Sequence, residues 1–589
     1  MRRSSRCIAA ALIALSFTGT AIASDQPPLV TIAAIQGASH VSPYERETVR
    51  VEGVVTVLAP RGFYLESLRP DEDPATSEAV YVETYRPPGV DRGDLVAITA
   101  RVAEVYPGGA TSGNLPVTTL KRPDIEILES DRPLPDAAVI GTGGRIPPRI
   151  VVSNDADGRV EGSRFDPEED GIDFYESLES MRVVVNEAVS VGTVHTRYGE
   201  IWALPDGGAH ASVRTPRGGI VVREGDFNPE RVLIDYLEDE LIVRQPDTPR
   251  VAVGDRFVGP IHGVLSYSWY NYKVLPTRPL PAVEPRNLPR ERAAEERAPD
   301  ILSVAAFNVQ NLSGRSEAAK FDDIARTVVH GLRAPDLLLL SEIQDSDGPT
   351  RSAVVSSAAT AERLLEALTA VGGPDDYRYI DIAPEYGTSG GQPHANIRVG
   401  FLYRADRVTL AEGSLQQVAP DSPAFANARI PLAARFVFRG RAVLAVANHF
   451  SSKGGDGALF GRVQPPSASS ESGRIAQARE VHDYVAAHLE TNPDALIIAG
   501  GDLNDFSFSR SLRVLTGEHL LNPAEALPPG EVYSYIYEGN SQALDHLLVS
   551  PALHERLIGP VDYVHRYAEF LYEERFSDHD PLLARFRFE

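Results

Sequence analysis

From Ile301 onward the apolar residues gather into short unbroken runs separated by stretches of helical spacing. Ile301–Phe307, Asp336–Leu340, Val399–Tyr403, Ile430–Phe438, Val443–Ala447, Leu496–Ala499, Leu544–Val549 and Leu582–Phe588 read as strands, and Glu317–Leu332, Ala361–Ala370 and Gly473–Leu489 as helices. Strands that are apolar on both faces, with helices between them, predict sheets covered by helices, hence an α/β layered domain over 301–589. Upstream the grammar is different. Val49–Val54 alternates, Phe63–Leu65 follows a Gly62 turn, Ala79–Val82 continues, and Gly93-Asp94 precedes a longer alternating run, Leu95–Val105. Short strands with Gly and Pro between them predict a small all-β barrel over 24–140. The same grammar returns at Met181–Val185, Tyr198–Trp202 and Phe257–Leu265, which predicts a divergent second copy of the barrel over 150–284. Glu284–Asp300 is charged, proline-bounded and aperiodic, so 285–300 reads as a linker.

The polar residues fall at strand ends. Asn308 ends the first strand of the C-terminal domain, Glu342 the next, Asn448 and His449 a third, and Asp502 and Asn504 the run LIIAGGDLND, Leu496–Asp505. Asp545 and His546 begin a late strand, and Asp578-His579 sits just before the last. Strand ends in layered α/β folds are where ligands and reactive groups gather. One such coincidence is cheap, whereas six predict a site. Gly500-Gly501 is read as making room at the strand end rather than cradling a phosphate.

Composition adds limits. At 589 residues the chain is long enough for roughly three or four domains. Arg2, Arg3 and Arg6, the short apolar run Cys7–Phe17 and Ala21-Ile22-Ala23 predict a secretory signal peptide over 1–23, and no later stretch is long and apolar enough to span a bilayer. Cys7 is the only cysteine, which leaves the mature chain without disulfides or thiolate metal ligands. The formal net charge of −25 excludes a broad basic surface, so attraction to a polyanion has to be local.

The phrases AAFNVQN, LLLLSEIQD, VANHFSSKGG, IIAGGDLND, ALDHLLVS and FSDHDPL occur in the order and at the spacing of the endonuclease/exonuclease/phosphatase (deoxyribonuclease I-like) superfamily, which 301–589 resembles. Each is short, and the ordered set is specific. The elements of Val49–Val105, with TIAAIQGASHVSPY (Thr31–Tyr44) ahead of them, resemble the OB-fold domain that precedes the nuclease domain of secreted bacterial nucleases. In OB folds aromatic residues often stack bases. For Phe63, Tyr64 and Tyr81 core packing is the better reading.

The resemblance implies a four-layer α/β/β/α sandwich and a secreted, metal-dependent hydrolase of phosphodiesters, with DNA as the first expected substrate and RNA a second. It implies Mg²⁺, with Ca²⁺ and Mn²⁺ as alternatives, held by Glu342 as principal ligand with Asp578 and either Asn308 or Gln310 nearby. A hard cation prefers such oxygen ligands and keeps several waters. By the same resemblance His579 is either general base or electrostatic partner of the phosphate, and Asp545 fixes its tautomer. Asp502 orients the attacking water or holds the metal, and Asn504 donates to the phosphate. His449 acts across the cleft, near the leaving group or the phosphate. Arg398 and Lys453 would contact substrate, and Ser451–Ser472 would form a flap over it. His546 is expected to turn to the opposite face of its strand, and Asp505 receives no role. The superfamily also hydrolyses lipid and small phosphate esters, and a binding module with a silent catalytic domain is the non-enzymatic alternative.

Overall fold

The computed structural model describes residues 27–237, 242–295 and 297–589. The expected signal peptide lies outside them. Among the described residues no helix is long and apolar enough to cross a membrane.

Five strands, β1 (Thr48–Ala59), β2 (Gly62–Glu66), β3 (Ala79–Glu83), β4 (Leu95–Val105) and β5 (Val117–Glu129), close a barrel in the order β1-β2-β3-β5-β4. Its core holds Phe63, Leu65, Val80, Val82 and Ile98, together with Ile32 and Ile35 of the short helix Ile32–Gln36. Phe63 is thus a core residue, and Tyr64 packs with Val264 and Leu275 of the next domain.

The second β-region is not another barrel. It is an open nine-stranded sheet in which Val232–Asp235 runs parallel to Asn271–Pro276 and Ala138–Ile140 parallel to Arg182–Val185. Alternation is shared by any half-buried strand, so the repeated grammar carried no information about closure.

The Thr31–Tyr44 segment ties the barrel to the helix Gly171–Glu176 of this domain and the turn after it. Gln36 donates to Glu179 at 3.2 Å, and His40 Nε2 meets Asp173 at 2.6 Å with Nδ1 3.4 Å from Glu176. Burial opposes a charged His40, but Asp173 and Glu176 outweigh it and raise the ring to about 9. Burial pushes Glu104, in the same interface, up to about 7. Both shifts have the same sign in stability. The His40 contribution is complete below its ordinary value near 6.5 and is lost as pH rises through about 9, while ionising buried Glu104 costs stability between its ordinary range and about 7. Thermal melts are therefore expected to fall from pH 6 to 9, by about 3 kcal/mol for His40, and His40→Gln should flatten the upper part of that slope. A flat wild-type profile would remove this account of the interface.

Among the described residues, 285–295 and 297–300 contain no helix or strand, yet parts of them are packed. Ala293 is buried in the core of the C-terminal domain, and Arg297 donates to the Ala334 carbonyl at 2.9 Å.

The C-terminal domain has two six-stranded sheets. In one, Ile301–Leu312 lies between Leu337–Ile343, parallel to it, and Leu582–Arg587, antiparallel. In the other, Arg441–His449 runs parallel to Leu496–Asp502, and Asp545–Val549 lies beyond, antiparallel. Period-two alternation builds the layers. Val304, Ala306, Leu337, Leu339, Val443, Ala445, Ala447, Ile498 and Leu547 meet between the sheets. Ala305, Phe307, Leu338 and Leu340 face Phe321, Ile324, Leu364 and Leu368 of the helices Ala318–Arg326 and Ala358–Ala370. Leu444, Val446, Ile497 and Ala499 face Val481 and Val485 of Glu471–Thr491 and Leu512 of Arg510–Thr516. The result is helices, sheet, sheet, helices.

Candidate active site

The alternation that packs the core also aims the polar strand ends. In Ile301–Leu312 the even positions face the other sheet, so Asn308 follows Val304 and Ala306 inward. His449 follows Ala445 and Ala447, Asp502 follows Ile498, and Asp545 precedes Leu547 and Val549 on the same face. His546 goes the other way and bonds the Asp505 carbonyl at 2.9 Å, as expected for a structural residue.

Glu342 breaks the rule. Simple alternation would place it with Leu338 and Leu340 on the helix side. The ladder shifts register between Leu340 and Ile343, Glu342 takes φ 64°, and its carboxylate turns inward to accept from Asn308 at 3.0 Å and from the Asn311 amide at 2.9 Å. The facing segment is bulged too, with Gln310 at φ 46° and Asn311 at φ 56°. Non-glycine residues held in this region cluster at functional sites.

At the centre is Asp502 Oδ2. It accepts from Asn308 Nδ2 at 3.0 Å and Asn504 Nδ2 at 3.2 Å, and lies 3.5 Å from His449 Nε2 and 3.9 Å from His579 Nε2. The double glycine before it lets three strands close up. A Cβ on Gly501, at φ 121°, would lie 2.2 Å from the Asn448 carbonyl oxygen, and one on Gly500 would lie 2.3 Å from that of His546.

Burial pushes the Asp502 carboxyl up to about 7 against the pull of His579. Burial works against charge on His579 as well, but Asp545, whose Oδ2 is 2.7 Å from Nδ1, and Asp502 outweigh it and hold the ring well above its ordinary value. Ser534 fixes Asp545 by donating to Oδ2 at 2.7 Å. His449 goes the opposite way. Burial first, then Arg429 and the His579 cation, keep it uncharged.

Glu342, His449 and Asp502 bring one ligand atom each within 4.8 Å of one another, as do Asp502, Asp545 and His579. Two carboxylates joined through a single amide, with His449 at 3.9 Å and 3.5 Å, form a donor set that fits a hard divalent cation. Glu342 thus contributes an oxygen to the first of these clusters. Asn308 is not placed as a ligand, because its Nδ2 faces the two carboxylates while Oδ1 accepts the Gln310 amide at 2.9 Å. It is the spacer that holds Glu342 and Asp502 together. Asp578 belongs to neither cluster, and it shares with Glu342 the neighbourhood of the Lys320 ammonium.

Other expected contacts are also reassigned. Asn504 spends its amide on Asp502 and on the Phe450 carbonyl at 3.0 Å, so it braces the strand end instead of donating to a phosphate. Arg398 is buried and donates to the carbonyls of Asn396 and Val355, with Nη1 3.5 Å from Asp381. Lys453 donates to Asp505 at 2.8 Å and lies over the Phe506 ring. Asp505, which had no role, accepts from Lys453, from Arg474 at 2.8 Å and from Ser511 at 2.8 Å, pinning the chain that leaves the site. The glycine-rich segment 451–472 is not a free flap. Its Val463–Gln464 pairs with Gly158–Arg159, and Phe460 is buried in the core of the middle domain.

Sequence reasoning missed two neighbours. Arg429 is buried, donates to the Phe450 carbonyl, and is a further cation beside Asp502 and Glu342. Tyr535 lies with its ring 4.8 Å from that of His579. Neither ends a long apolar run, the one signal that singled out the others.

Residues 305–579 match the Endonuclease/Exonuclease/phosphatase family, and 139–285 match a domain of unknown function. No curated protein matches the chain. Among solved structures, truncated TDP2 from Caenorhabditis elegans is 19% identical, with 49% of this chain and 98% of that chain covered and a TM-score of 0.33. An endonuclease/exonuclease/phosphatase from Bacteroides vulgatus is 14% identical over 49% and 99%, also at 0.33. The human Nocturnin catalytic domain with bound sulfate is 15% identical over 49% and 95%, at 0.32.

Proposed function

We propose that this chain is an exported, Mg²⁺-dependent nuclease that hydrolyses the phosphodiester bonds of DNA and, secondarily, RNA. The observation that carries the reading is the convergence at the carboxyl ends of two parallel strand pairs. There Glu342, His449 and Asp502 surround one point, and the His579–Asp545 pair faces it. The N-terminal pattern of Arg2 to Ala23 supports export.

A divalent cation held by Glu342 and Asp502 would neutralise phosphate charge and make water more acidic. The protein's own groups divide the remaining work. Asp502, with Oδ2 at the convergence of Asn308, Asn504, His449 and His579, orients the attacking water beside that cation. His579, kept as imidazolium by Asp545, presents Nε2–H to a phosphoryl oxygen, so the electrostatic role fits it better than that of base. Uncharged His449 places a second ring across the site without adding charge. The front barrel, whose strand order β1-β2-β3-β5-β4 is compatible with an OB fold, presents neither Phe63 nor Tyr64 for stacking.

The purified mature protein should be incubated with Mg²⁺ against duplex DNA, single-stranded DNA, RNA and a lipid phosphodiester. Cleavage of DNA is expected. Hydrolysis of the lipid ester alone would replace the nuclease reading with that of a lipid phosphodiesterase.

A further inference from the structure

The middle domain has a second job besides joining barrel to catalytic domain. It grips the two catalytic-domain segments that enter the site. Asn228 donates to Asn540 at 2.7 Å and Arg231 to the Glu538 carbonyl, both next to the strand Tyr535–Tyr537. Arg217 donates to Glu569 at 2.5 Å, and Thr193 to the Phe570 carbonyl at 3.2 Å, just before the turn that leads to His579.

At this seam one turn of the middle domain, His195–Glu200, reaches Tyr572 of the catalytic domain. The His195 amide donates to the Glu200 carbonyl at 2.9 Å and the Gly199 amide to the His195 carbonyl at 2.8 Å, so the tip is rigid. Arg197 and Tyr198 sit on it in solvent, Tyr198 at 52% exposure. The rings continue across the domain boundary. Tyr198 stacks on His195 with centroids 4.4 Å apart, and His195 meets Tyr572 of the catalytic domain at 5.4 Å. Arg197 lies over Tyr198, and Arg575 lies 4.3 Å above Tyr572, itself 47% exposed. Burial first, then Asp578 and Tyr572, push the Tyr535 phenol up, and Arg575 pulls it down, so these groups border the ring that packs on His579. The adjacent Glu574 carboxylate is paired with Arg250 at 2.8 Å.

Large flat rings left in water, held in fixed orientation and interleaved with guanidinium groups, are what unpaired bases stack on. In a protein of net charge −25 such a surface has to act at short range. We propose that Arg197, Tyr198 and His195 of the middle domain, with Tyr572, Arg575 and Tyr535, form a platform that binds single-stranded polynucleotide alongside its scissile phosphate. The inference rests on the phosphodiesterase reading of the same site. It gives the middle domain a share in substrate choice, with single strands favoured because the base faces of a duplex are already stacked on each other.

The test is the anisotropy of a short fluorescein-labelled oligothymidylate titrated with the full mature protein in excess EDTA, where nothing is cut. Tyr198→Ala should raise Kd about ten-fold, while Tyr198→Phe, which keeps the ring face, should bind like wild type. Arg197→Ala should weaken binding and reduce the salt slope by about one, since one phosphate contact is lost. The platform is overturned if Tyr198→Ala binds like wild type, if Tyr198→Phe loses as much as Tyr198→Ala, or if a duplex competes as well as the single strand. A protein that shows the expected binding pattern but cuts no polynucleotide with Mg²⁺ keeps the platform and loses the nuclease reading.

Discussion

Replacing His579 with alanine is expected to lower turnover of DNA about a thousand-fold, near the middle of the range for a positioned proton-transfer or charge-stabilising group. The expectation comes from geometry. The ring is buried, its Nδ1 is 2.7 Å from Asp545, and its Nε2 points toward Asp502. The alanine variant leaves Asp545 without its cation in a buried site, which by itself costs stability. His579→Gln, which keeps a polar side chain there, should therefore be measured beside it, with near-ultraviolet dichroism as a check on packing. Asp545→Asn should also lose turnover while KM moves little, because Asp545 acts through His579 and does not touch substrate. Asp502→Ala should be at least as damaging, since it removes the atom on which four nitrogens converge. Wild-type turnover in either His579→Gln or Asp502→Ala would sink the assignment.

Much of this site was legible because one rule served two purposes. A strand buried on both faces must be apolar, and a polar residue that ends it on the inter-sheet face is then conspicuous, as Asn308, His449, Asp502 and Asp545 were. Which of its two faces a strand end presents is fixed by parity, and parity can be counted. Glu342 shows where the counting stops. Its inward turn depends on a φ of 64° that nothing in LLLLSEIQD announces, so its place at a strand end was readable while its role as a ligand came only from the resemblance of the phrase. Partners were less legible than positions. Arg398 and Lys453 have the right charge near the right place, yet the fold spends one on backbone carbonyls and the other on Asp505. An arginine count cannot tell a clamp from a strut, since burial decides it. The 451–472 segment failed for a related reason. Gly, Ser and Pro predict irregular backbone, but Phe460 inside it carries enough apolar surface to anchor it in another domain. The seam between the middle and catalytic domains was invisible, because His195 and Tyr572 lie far apart in the chain and share no periodicity.

Chelation is expected to have the larger effect. Glu342 Oε1 and Asp502 Oδ2 both accept from the single Asn308 amide, and burial already raises Asp502, so the protein holds two acidic groups close together in a poorly solvated place. Arg429 is a nearby cation besides the His579 imidazolium, and its one described hydrogen bond goes to the Phe450 carbonyl. A site built this way stabilises a phosphodiester dianion-like transition state only once further positive charge arrives. Excess EDTA should therefore remove DNA hydrolysis, and Mg²⁺ should restore it, with Mn²⁺ and Ca²⁺ tested in parallel. A second readout does not depend on turnover. A cation that binds only the folded state adds about 3 kcal/mol at a hundred times its Kd, so the melting temperature should rise by several degrees on adding Mg²⁺. Glu342→Gln keeps the side chain's shape and removes its charge, and it should abolish that rise. Full activity in EDTA, together with melting curves that none of the three ions moves, would show that Glu342 and Asp502 serve the fold and not a metal.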